Sequence, residues 1–335
     1  MTFRRSAPTA LVAALVVLAA CGSDDSGANS DNTVRLDTPI VVATTSIWAD
    51  ITTNVACNGL AQVLTIIPPG GDPHSFEPSL RDRETMDSAD LVVANGLFLE
   101  ESLADTIDAA ESNGVSVLRV GEELDPLPIG EKSHDDEPET SDGDDHDDDY
   151  GDDYGGGDPH VWWDPTRVAA AVPLIADALA DAGVDRAALD ACAAQYVGEL
   201  TTLDEEVATI VAPMPVDQRI LVTNHDSLGY FAKRYEFEVL GSVIPSSSSL
   251  AATSPAELDD LADQIGATGV PAIFADTQNS STDADALANR LGGVDVVSML
   301  TDTLDEPGTE GGTYVGWLSG NARTIIDALT RSGAN

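Results

Sequence analysis

The chain has 335 residues and a formal net charge of −44, enough length for two domains of ordinary size. A charge of that sign and size excludes nucleic acid as a partner. The acidity is spread along the whole chain, as in proteins adapted to salty surroundings.

The first element is a processing signal. Arg4 and Arg5 give a basic start, and ALVAALVVLAA over residues 10–20 is apolar but too short to span a bilayer. Leu18-Ala19-Ala20-Cys21 then resembles a lipobox, with Cys21 as the lipidated residue and GSDDSGANSDN as a tether. The expected organisation is a signal peptide over 1–20, a lipid-anchored tether over 21–37, an N-terminal α/β lobe over 38–164, a connecting helix over 165–184 and a C-terminal α/β lobe over 185–335. Two cysteines remain, Cys57 and Cys192. In an exported protein they are candidates for one disulfide, and sequence alone leaves buried free thiols as the alternative.

The β-branched run TPIVVATTS (38–46) predicts a buried strand, followed by a helix over 47–57. A strand over 62–67 ends at Pro68-Pro69-Gly70-Gly71, and a helix follows with Ser79 as its N-cap. Strands over 90–95 and 115–120 enclose a helix over 100–112. Residues 121–157 are so rich in Asp, Glu, Gly and Pro that a mobile loop is expected. PTRVAAAVPLIADALADA (165–182) predicts a rigid helix with Pro165 in its first turn and a kink at Pro173. A second helix covers 186–210. Strands at 219–224, 237–243, 271–276 and 294–299 then alternate with helices at 228–235, 255–267, 283–291 and 313–330. This alternation predicts two Rossmann-like lobes, each with a parallel sheet, joined by one long rigid helix, with a site in the interlobe cleft beyond the strands' carboxyl ends.

Only five histidines occur, and two of them end the same tripeptide, Asp72-Pro73-His74 and Asp158-Pro159-His160. Proline restrains the turn, and an aspartate two residues before the histidine can bond the local backbone. Such a setting holds an imidazole rigidly, as a metal ligand requires. His225 in VTNHDS lies at the end of the first strand of the second lobe, so three histidines fall at strand ends facing the cleft. His134 and His146 lie in the acidic loop, where residues 131–158 carry 14 acidic side chains, a setting for weak recruitment of cations. Three imidazoles and a carboxylate would also suit a zinc hydrolase. Neither H-E-x-x-H nor G-x-S-x-G is present, however, so no enzymatic activity is expected.

IIPPGGDPHSFEPSLRD, SADLVVANGLFLE, DPHVWWDPTRV, VTNHDSLGYFAKRYEFEVLG and IFADTQ, in this order, resemble the metal-specific solute-binding proteins of ABC transporters, the zinc-uptake branch in particular. The resemblance runs from about residue 39 to 329 and implies a monomeric, lipid-anchored receptor at the outer face of the cytoplasmic membrane. Such a receptor would hand Zn²⁺ to a permease driven by an ATPase. It implies His74, His160, His225 and Asp302 in MLTDTL as the metal ligands, with Asp276 as a rival for the fourth place. Trp163 stands where the family usually has leucine and is expected to pack. Manganese branches tend to have a carboxylate at the third position, so His225 favours Zn²⁺ over Mn²⁺.

Overall fold

The computed structural model describes residues 38–129 and 156–331. The candidate lipidation site Cys21 and the loop histidines His134 and His146 lie outside the described residues. The N-terminal lobe contains β1 (Ile40–Ala43), β2 (Gln62–Thr65), β3 (Leu91–Ala94) and β4 (Ser116–Arg119), all parallel, in the order β2-β1-β3-β4. The C-terminal lobe repeats the pattern with β5 (Ile220–His225), β6 (Glu238–Ile244), β7 (Ala272–Asp276) and β8 (Asp295–Met299), in the order β6-β5-β7-β8. In each sheet the strand order reverses beside the first strand, which opens a crevice at the carboxyl ends. β1, β3 and β7 are apolar on both faces because helices cover both sides.

Local chemistry sets the helix starts. In α1 (Ser46–Val55) the Thr45 hydroxyl accepts the Trp48 amide. α2 (Leu80–Asp87) opens with a capping box between Ser79 and Asp82, and α3 (Ala104–Ser112) follows a short 3₁₀ turn. α4 (Pro165–Asp181) has Asp164 as its N-cap, accepting the Thr166 amide at 2.9 Å, with Pro165 in the first turn. The helix continues through Pro173, which sits on the exposed face.

α5 (Arg186–Val211) turns back along α4, and Leu189, Cys192, Tyr196, Leu200, Leu203, Val207 and Val211 form its buried stripe. It touches α1 of the first lobe and also α9 (Tyr314–Thr330) of the second. Cys57, just past α1, is disulfide-linked to Cys192 of α5, with Cα atoms 5.5 Å apart. One apolar core therefore runs from Ile47 and Trp48 through Val172 and Tyr196 to Trp317 and Ile325. Trp163 is fully buried in it, 4.5 Å from Trp317 and 5.8 Å from Phe231 between ring centroids. In the second lobe, α6 (Gly229–Tyr235), α7 (Pro255–Thr268) and α8 (Thr282–Leu291) complete the alternation.

One expectation needs correction. Residues 121–129, placed at the start of the mobile loop, are docked. Leu124 is buried, and the Arg167 guanidinium donates to the Leu124 and Asp125 carbonyls. The Leu127 amide donates to Tyr230 Oη at 2.9 Å, and the Leu127 carbonyl accepts the Asp158 amide at 2.7 Å. The acidic composition of the segment obscured two leucines that have somewhere to pack and carbonyls with donors waiting.

Candidate metal centre

His74, His160, His225 and Asp302 come together between the lobes. One potential ligand atom from each lies within 4.8 Å of every other, and all four side chains are buried. The ring centroids are 5.1 Å apart for His160 and His225, 5.7 Å for His74 and His225, and 5.8 Å for His74 and His160.

Both Asp-Pro-His turns are built alike. Asp72 Oδ1 accepts the His74 amide at 3.1 Å, and Asp158 Oδ1 accepts the His160 amide at 2.9 Å. The second aspartate also reaches His160 Nδ1, at 2.8 Å. Asn95, at the end of β3, anchors this turn by donating to the Pro159 carbonyl at 3.0 Å, and accepts Trp48 Nε1–H at 2.9 Å. The buried Glu100 closes the loop after β3, accepting Thr44 Oγ1–H at 2.5 Å and the Asn95 amide at 2.7 Å. These bonds account for Asn95 and Glu100 of SADLVVANGLFLE. Gly229 is needed because a Cβ there would stand 2.9 Å from Asp158 Oδ2.

In the second lobe His225 ends β5 and Asp276 ends β7, at the point where the strand order reverses. Asp276 Oδ2 accepts His225 Nδ1–H at 2.8 Å and Asn224 Nδ2–H at 3.1 Å. The two candidates for the fourth place stand on different sides of His225. Asp276 stands behind His225, whereas Asp302 faces the imidazoles, with Oδ2 3.5 Å from His225 Nε2 and Oδ1 3.9 Å from His160 Nε2. Sequence reasoning passed over Gln278, which donates to Asp302 Oδ2 at 2.9 Å, although it lies within the IFADTQ motif. It also passed over Glu101, whose Oε1 lies 3.4 Å from His74 Nδ1.

Each carboxylate oxygen behind His160 and His225 already accepts another N–H, so the ring Nδ1 must be the donor. Both Nε2 atoms are then left with inward-facing lone pairs, 3.2 Å apart. Two acceptors at that distance require a positive centre between them. Further buried atoms lack hydrogen-bond partners, namely both ring nitrogens of His74 and Asp302 Oδ1. Such a donor set fits a divalent transition metal.

Burial alone would push the His225 imidazole down, but the charges of Asp276 and Asp302 outweigh it and hold the pKa up at about 10. Burial dominates at His160 and pushes it well below its ordinary value, against the pull of Asp302. Burial likewise raises Asp158 to about 7, opposed by the His160 amide. In the metal-free protein the shared charge is therefore one proton on His225, pointing at a neutral His160.

Two parallel α/β lobes closed on a buried cluster of three imidazoles and a carboxylate define a two-lobed solute-binding protein. The chain belongs to the family of the zinc-uptake complex component A, periplasmic, which it matches over residues 41–328. It is 29% identical over 319 residues to the zinc-binding protein TroA of Treponema pallidum, covering 93% of each chain. It is 28% identical over 317 residues to the manganese-binding lipoprotein MntA of Halalkalibacterium halodurans, covering 94% of this chain and 95% of the relative. The solved structure of periplasmic TroA aligns with a TM-score of 0.74 at 27% identity, covering 88% of this chain and all of TroA.

Proposed function

We propose that this chain is the extracytoplasmic receptor of an ABC importer and that it captures Zn²⁺. His74, His160, His225 and Asp302 are the ligands. The observation that carries this reading is the pair of Nε2 lone pairs 3.2 Å apart, each ring locked by a carboxylate behind it. A proton fills that place in the metal-free protein, and a metal ion competes for it. Three imidazoles and one carboxylate make a four-coordinate set of the softness that suits zinc. Because the fourth donor is a protein carboxylate, no position is left open for an activated water, which supports capture rather than hydrolysis.

The remaining parts of the reading follow from the family and the N-terminal sequence. The receptor is a monomer held by a lipid on Cys21 at the outer face of the membrane, and it delivers its ion to a permease and ATPase. A manganese receptor of the same type is the second reading, favoured by relatives that are named as manganese-binding lipoproteins. Metal analysis of the purified protein, followed by Zn²⁺/Mn²⁺ competition against a chelator, decides between them. His74→Ala, His160→Ala and His225→Ala should each weaken zinc binding at least about tenfold. If zinc affinity survives the loss of His225, the ligand set is wrong.

A further inference from the structure

Resting on the receptor reading, we propose that Gln278 is the residue that sets ion selectivity, by holding Asp302 so that it binds through a single oxygen. Gln278 lies two residues beyond β7. Its Nε2 is 2.9 Å from Asp302 Oδ2 and 2.7 Å from Thr301 Oγ1, so both amide hydrogens are placed. Asp302 as a carboxylate only accepts, which identifies the nearby Gln278 atom as the nitrogen. Thr301 Oγ1, having accepted from Gln278, passes its own hydrogen to Asp276 Oδ1 at 3.0 Å. Asp276 Oδ2 in turn accepts from His225 Nδ1.

Every donor in this chain has a single direction, because Asp276 has no hydrogen to return. One neutral amide therefore orients both ligands of the second lobe: Asp302 directly, and His225 through Thr301 and Asp276. Trp162 Nε1–H braces the same loop by donating to the Thr301 carbonyl at 3.1 Å.

The consequence lies in the two oxygens of Asp302. Oδ2 is committed to Gln278, while Oδ1 is buried without a hydrogen-bond partner. Turning the carboxylate so that both oxygens chelate one ion would stretch the Gln278 bond. Zinc in a four-coordinate site needs only one oxygen from its carboxylate. Manganese prefers more oxygen donors and a higher coordination number, so the amide penalises manganese more than zinc.

The test compares the wild type, Gln278→Leu and Thr301→Val. Zn²⁺ and Mn²⁺ affinities are measured by chelator competition, and Co²⁺ absorption reports coordination number. In Gln278→Leu, zinc binding should weaken about 10- to 100-fold and manganese binding by less than about threefold, so the Zn/Mn affinity ratio falls at least about threefold. The intense visible cobalt bands of a four-coordinate site should weaken in the same variant. Thr301→Val cuts the link to Asp276 but keeps the bond to Asp302, so it should weaken both ions alike and leave the ratio unchanged. Should Gln278→Leu fail to fold, Gln278→Met keeps the length without the donors. An unchanged ratio and cobalt spectrum in the Gln278 variant would overturn the proposal, as would an equal change of ratio in Thr301→Val. A wild type that takes up neither ion sinks the receptor reading, and this inference with it.

Discussion

At the scale of single residues, the proton on His225 makes the first prediction. The folded-state pKa is raised to about 10, above the ordinary value of about 6.5. The group is therefore protonated in the metal-free protein at neutral pH, and an entering ion must displace that proton. Zinc affinity should rise about tenfold per pH unit between about pH 7 and 9, as one released proton requires. An unperturbed histidine would give a plateau above about pH 6.5. Calorimetry in buffers of different ionisation enthalpy should count close to one proton released at pH 7.5, and a count near zero contradicts the assignment. The same shift makes metal-free stability fully present below about pH 6.5 and progressively lost as pH rises through about 10, a loss that bound zinc should offset. Asp276→Ala should lower the His225 pKa, shrink the proton count and weaken zinc about 10- to 100-fold.

At the scale of elements, α4 and α5 form the spine between the lobes. The sequence predicts α4 as the connecting helix and a second helix after it, which is α5, longer and packed along α1, α4 and α9. The Cys57–Cys192 bridge ties the end of α1 to this spine across 135 residues of sequence. Replacing both cysteines with serine should lower stability by about 2–5 kcal/mol, as for other native disulfides that close long loops. Zinc affinity should change little, because neither cysteine belongs to the proposed ligand set. Urea unfolding with and without reductant checks the first statement. A large loss of affinity in the double variant would show that the spine sets the spacing of the ligands.

At the scale of the whole molecule, the lobes meet through hydrogen bonds on both flanks of the site. Ser248 Oγ donates to Glu101 Oε1 at 2.5 Å and Ser249 Oγ to Asp72 Oδ2 at 3.0 Å. On the other flank the Gly70 amide donates to Thr303 Oγ1 at 2.8 Å and the Leu304 amide to Ser46 Oγ at 2.9 Å. Both acceptors on the first flank are carboxylates, and a hydrogen bond to a charged group contributes about 1.5–3 kcal/mol net, so removing two shifts the balance between closed and open lobes by about a hundredfold or more. The Ser248→Ala/Ser249→Ala variant should release zinc about a hundredfold faster into excess chelator in stopped flow, and an unchanged rate would mean that closure does not limit release. The acidic segment adds a weaker effect that follows from its composition. Deleting residues 133–156 should abolish additional zinc sites of micromolar or weaker affinity and spare the tight one. Calorimetry of the deletion variant would show otherwise if the tight site vanished as well. Cys21→Ser should free the protein from the membrane fraction.

The sequence by itself determined the alternation of strands and helices, because β-branched runs and amphipathic stripes reflect local periodicity. It also singled out His74 and His160, because a rare residue in a repeated rigid turn stands out, and His225 by its place at a strand end. Asp302 was legible only through family resemblance, since a lone aspartate in MLTDTL carries no local signal. Its distinction from Asp276 required the sheet: Asp276 ends one strand of the second lobe and Asp302 follows another, and only strand order and register put one behind His225 and the other before it. The docked segment 121–129 was missed because its partners, Arg167 and Tyr230, lie far along the chain. Gln278 was hidden for the same reason. An amide acquires a role only when tertiary packing brings a carboxylate 24 residues away within 2.9 Å of it.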